Sequence, residues 1–179
     1  MNENKFPGAV TVGYFSTFIS LFYFALLWSG WIEASNQDFI SIALIFNLLI
    51  ILIGLFTLSN VDKLDSVLFI VLGTFWTGFM LRVLWYPDLP SNKNAFVLDG
   101  WILLLAAVVF FLLWIASLKG NLYRKLFLLG LWLAFLVCAI GNLFNILFLM
   151  KIFSYISFIA AVLAGSYGAS TIIDFKKAK

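Results

Sequence analysis

The sequence predicts an all-α integral membrane protein, a six-transmembrane-helix bundle with both termini in the cytoplasm. Of its 179 residues, 64% are hydrophobic and 11% charged, with a mean hydropathy of +1.10; soluble domains carry about 25% charged residues. Six apolar runs of spanning length alternate with short polar breaks. Eight of the eleven Lys and Arg residues then fall on one side (Lys5, Lys63, Lys119, Arg124, Lys125, Lys176, Lys177 and Lys179), leaving Arg82, Lys93 and Lys151 on the other. The positive-inside rule makes the richer side cytoplasmic.

The runs cover about residues 8–30, 39–59, 65–86, 99–118, 124–149 and 152–173, forming one transmembrane domain over 1–179. The opening MNENKFPGAV precedes an apolar run longer than a signal-peptide core and lacks a small-residue cleavage site, so it reads as a retained first helix. That helix carries a weakly polar stripe, Gly13, Ser16, Thr17 and Ser20. The second and fourth runs are dominated by Leu, Ile and Phe, suited to lipid or broad apolar contacts, and Asp99 opens the fourth as a cap. The third has Thr74, Thr77 and Gly78, then Arg82 about one turn before WYP at 85–87. Arg82 either draws anions toward an outer mouth or snorkels to the interface.

The fifth run contains LVCAIGNLFNILF at 136–148. Leu131, Ala134, Cys138, Asn142 and Asn145 follow at steps of three or four, the spacing of one helix face, and Gly141 widens it. Lys151 is nearly all that separates this run from the sixth, where Ala161/Gly165/Ala169 and Ala160/Ala164/Gly168 form ladders of small residues. Such ladders favour close helix packing or a subunit contact. Trp28, Trp31, Trp85, Tyr86 and Trp101 gather at one interface when six spans are counted, as an aromatic belt should.

Two readings fit the polar stripes on helices 1, 3 and 5. They bond to neighbouring helices as structural glue, or they face one another around a thin solute pathway. The Asn142 and Asn145 amides favour the pathway most, because they offer several donors and acceptors.

Absences narrow the function. The chain has no His and a single cysteine, Cys138, so no intrachain disulfide forms. It shows no metal-ligand spacing, no nucleophile paired with a base and no phosphate-cradling glycine loop, which argues against an enzyme, a metal or a cofactor. The formal net charge of +3 sits largely at helix ends, with no basic stripe for nucleic acid. Lacking a titratable relay, the spans leave any proton to travel with the solute or along water.

In order and spacing, GTFW (73–76), SLKGN (117–121), AIGN (139–142) and the Ala/Gly-rich sixth helix resemble the acetate uptake transporters, also called succinate-acetate permeases. The similarity runs from about helix 2 to helix 6. It implies a six-helix protomer in the cell membrane, assembled as a homo-hexamer, each protomer passing acetate and related monocarboxylates. It also implies a hydrophobic constriction from an aromatic on helix 1, an aromatic on helix 3 and a leucine on helix 5. Those positions correspond to Thr17 or Phe18, to Leu72, which is not aromatic, and to Leu131. The family's amino-terminal Asn-Pro-Ala-Pro-Leu-Gly is reduced here to FPGAVTVG (6–13), with Pro7 its one proline. A smaller gate side chain would admit a larger or different solute. Two other readings stand beside this one: a channel for small neutral solutes such as urea, amides or water, and a membrane scaffold without a pathway.

Overall fold

A computed structural model describes residues 7–29, 31, 37–58, 63–85 and 93–177. Six helices follow in order: α1 (Pro7–Ser29), α2 (Gln37–Thr57), α3 (Lys63–Trp85), α4 (Lys93–Ser117), α5 (Leu122–Leu143) and α6 (Leu147–Lys177). Each holds a stretch long and apolar enough to cross a bilayer. Helix is what the bilayer core demands, because it satisfies every backbone N–H and C=O within its own segment.

The helices pack as a ring in chain order. Broad contacts join α1 to α2, α2 to α3, α4 to α5, α5 to α6 and α6 back to α1, while α3 and α4 touch slightly. Alternating direction brings the starts of α1, α3 and α5 to one end. There the Thr11 and Thr171 hydroxyls share a 2.6 Å hydrogen bond across α1 and α6, and Ser66 Oγ donates to Thr57 Oγ1 at 3.0 Å across α3 and α2. Large apolar side chains cover the outside, among them Leu105, 69% exposed, and Ile45, 64% exposed. In a bilayer that surface meets acyl chains.

The boundary between the fifth and sixth helices differs from the expected one at Lys151. Helix α5 stops at Leu143 and α6 begins at Leu147, so Lys151 lies inside α6. The break is conformational: Asn145 adopts φ 54°, the left-handed region that Asn tolerates better than most residues, and its N–H reaches Asn142 O. The next N–H, from Ile146, bonds to Gly141 O at 2.8 Å. Hydropathy alone is blind to this turn, since Phe144 and Ile146 are as apolar as the helices they separate.

Close helix approach depends on glycines that sequence periodicity did not single out. A methyl group on Gly73 would stand 2.8 Å from the Asn47 carbonyl oxygen of α2, and one on Gly54 would stand 2.9 Å from the Ile70 backbone nitrogen of α3. Backbone atoms cannot swing aside, so Gly73→Ala and Gly54→Ala should each cost about 1–3 kcal/mol. Gly78 has open space around its Cα. Thermal unfolding in detergent should therefore fall by several degrees for the first two variants and stay at the wild-type value for Gly78→Ala.

Candidate solute pathway

Helices α1, α3 and α5 run in the same direction and meet through their side chains along the bundle axis. At the end where they begin, Tyr14 Oη donates to Asp65 Oδ1 at 2.7 Å, and Arg124 Nη1 approaches the same oxygen at 3.4 Å. Asp65 is 3% exposed. A carboxylate this deep is tolerable because a phenol and a guanidinium surround it. Gly120 permits the arrangement, for a methyl group there would lie 2.5 Å from Arg124 Nη2. Asn121 caps α5 by accepting from the Tyr123 N–H at 2.8 Å. This clamp escaped the sequence reading, which placed Asp65 at a loop edge and counted Arg124 only as a topology signal.

Above the clamp lies a first layer of rings. Tyr14 meets Phe69, Phe127 and Tyr167 edge-on, at centroid distances of 5.0, 5.9 and 4.6 Å. A second layer stands further along: Phe24 stacks on Trp76 at 3.6 Å, Trp76 faces Phe135 at 5.4 Å, and Phe135 stacks on Phe110 at 4.7 Å. From Phe69 to Trp76 and from Phe127 to Phe135, the interval is about 10–12 Å at 1.5 Å per residue. Leu72, Leu131, Thr17, Ser20 and Leu21 occupy this interval by register, and all are buried. This interval is therefore apolar on α3 and α5 and hydroxylated on α1.

The two candidates for the helix-1 position separate. Thr17 is fully buried, its Oγ1 donating to Gly13 O at 2.8 Å. Phe18 instead packs on α6, against Gly165, and toward Phe22. Ser16 is buried, and Ser20 Oγ donates to Asn47 Oδ1 at 2.5 Å. Asn47, fully buried on the supposedly lipid-suited α2, is a second group that sequence reading missed. An amide inside such an apolar run was its only sign.

Several expected placements are corrected. Asn145 lies in the exposed turn after α5, so it shares no helix face with Asn142. Asn142 stays buried, but its Nδ2 donates to Cys138 O at 2.9 Å and to Cys138 Sγ at 3.4 Å, within its own helix. On α3 the buried stripe is Asp65, Phe69, Leu72, Trp76 and Met80, which turns Thr74 and Gly78 to the exposed side and leaves Thr77 between. Weak polarity did not reveal which face was inward; the aromatic stripe did. On α6, Gly165 and Gly168 receive Phe18 and Tyr14 of α1, Ala161 is fully buried, and Ala169 is exposed. Much of the small-residue ladder thus serves packing inside the chain. The Arg82 side chain lies outside the described residues.

At the far end, beyond the second ring layer, a cavity of about 10 Å³ is lined by Trp76, Phe79, Asp99, Leu103, Cys138, Asn142 and Phe153. It holds about one water molecule. A polar end, an apolar interval and a small, mostly apolar cavity that includes Asp99 and Asn142 thus follow one another along the bundle.

No protein-family model matches the chain, and no curated protein sequence does. Among solved structures it is similar to the bacterial acetate channel SatP, with a TM-score of 0.82 and 18% sequence identity, covering 100% of this chain and 97% of that one. The likeness fixes the six-helix membrane fold along the whole chain.

The clamp carries a stability prediction. Tyr14→Phe removes one hydrogen bond to a buried carboxylate and should cost about 1–2 kcal/mol. Arg124→Met removes the guanidinium beside buried Asp65 and should cost more, about 3 kcal/mol. Denaturant titration in mixed micelles reads both losses.

Proposed function

We propose that the chain is a membrane channel or transporter for small monocarboxylates such as acetate, passing them passively or with a proton, along one pathway per protomer. The observation that carries this reading is the succession of a clamp and an apolar interval between α1, α3 and α5, then a small cavity walled by α3 to α6, set in a fold shared from end to end with an acetate channel. The role is transport and not catalysis. The clamp end is the cytoplasmic one, in keeping with the Lys and Arg bias, and the chamber faces outward. Assembly as a homo-hexamer in the cell membrane completes the proposal; the exposed apolar flanks of α2 and α4 leave area for it.

The neck decides what passes. A charge between Leu72 and Leu131 would lose its hydration to apolar walls, a cost of several kcal/mol. Thr17 and Ser20 offer hydroxyls there, but both already donate within the protein. Passage is accordingly easiest for a small solute, and easier for a neutral acid than for its anion.

Purified protein in liposomes should take up labelled acetate saturably, and unlabelled propionate should compete. Entry of labelled urea or acetamide without any acetate entry would overturn the reading in favour of a neutral-solute channel. Absence of flux for every solute would favour a scaffold. Leu131→Ala removes most of one neck side chain, so butyrate entry should rise severalfold relative to acetate entry in the same assay.

A further inference from the structure

Trp76, one of the residues lining the chamber, carries an unclaimed donor. Trp76 is 2% exposed, and its Nε1–H is buried without a hydrogen-bond partner. A buried indole N–H usually finds one, and a protein surrounded by hydrocarbon has no bulk water to supply it. The ring cannot rotate to seek another acceptor. Phe24 stacks on it at 3.6 Å and 25°, while Phe75, Phe135 and Phe79 stand 5.1, 5.4 and 6.0 Å away.

Trp76 lines the same chamber as Asn142, whose amide nitrogen is committed to Cys138. The obvious donor is therefore spent, and the overlooked one is available. A chamber of about 10 Å³ accommodates a single oxygen-sized group. Anything longer must displace a side chain such as Phe79 or Phe153, both of which line it. Asp99 also contributes a carboxyl group to the lining.

We propose that Trp76 is the residue that recognises the solute before the neck, its indole N–H donating to the carbonyl or carboxyl oxygen of a small acid or amide. Resting on the transport reading above, this assigns the chamber a specific ligand group. Water occupies the donor between passages, and the solute oxygen replaces it. The four surrounding rings hold the N–H ready, so little ordering is needed when the solute arrives.

Trp76→Phe keeps an aromatic ring in the stack and deletes the N–H. In proteoliposomes, its half-saturation concentration for acetate should rise roughly fivefold to tenfold, the loss of one hydrogen bond, with maximal flux changed less. Trp101→Phe, altering an exposed ring on α4, should match wild type. If Trp76→Phe fails to fold, site-specific 3-benzothienylalanine at position 76 preserves the fused-ring shape and replaces N–H with sulfur. It should show the same rise. An unchanged half-saturation in whichever variant folds overturns the role of Trp76 while leaving the transport reading intact. A wild-type protein that passes no acetate overturns the transport reading, and this inference with it.

Discussion

Everything in this bundle answers to one constraint: a polar group inside a bilayer must find its partner within the protein. Backbones meet it by being helical. Side chains meet it in pairs, Tyr14 with Asp65, Ser20 with Asn47, Asn142 with Cys138. The first two pairs join different helices and the third lies within α5, and buried polar groups of α2 and α6, such as Asn47, Thr57 and Ser157, also turn inward.

The same constraint distributes roles along the axis. Asp65 and Arg124 gain from mutual proximity at one end, where Lys63, Lys119 and other cations begin to meet water. In the middle, Leu72 and Leu131 dispense with polar partners altogether and are packed between aromatic layers. Toward the other end, Trp76 departs from the rule with an unpartnered N–H, as do the Asn47 amide nitrogen and the Thr77 and Ser157 hydroxyls elsewhere. Such an exception suits the proposed solute site, because a donor already satisfied by protein has nothing to offer.

Hydropathy made the six spans legible because each one must bury about 20 apolar residues in hydrocarbon. It misjudged the α5–α6 turn, since the backbone of Asn145 and not a polar segment breaks the helix there. It also misjudged faces. Thr74 and Gly78 drew attention by their polarity and small size, yet Phe69, Leu72 and Trp76 face inward. In a membrane protein the lipid face is as apolar as the core, so hydrophobic periodicity cannot distinguish them. Leu72, Leu131 and Thr17 are singled out by the family resemblance instead, and all three are buried. Asp65 and Asn47 were hidden for opposite reasons: one stood too near a loop to look buried, the other stood in a run too apolar to look functional.

The central claim is that solute travels between α1, α3 and α5 and through the chamber walled by α3 to α6. Anomalous diffraction from Cys138→Ser crystals soaked in bromoacetate tests it directly, because bromine marks the ligand and no thiol remains to displace it. The account predicts a bromine peak beside Trp76, in the chamber bounded by Asn142 and Phe153. A peak confined to the apolar groove of Leu104, Phe111 and Trp132 on the outside of α4 and α5 would contradict it.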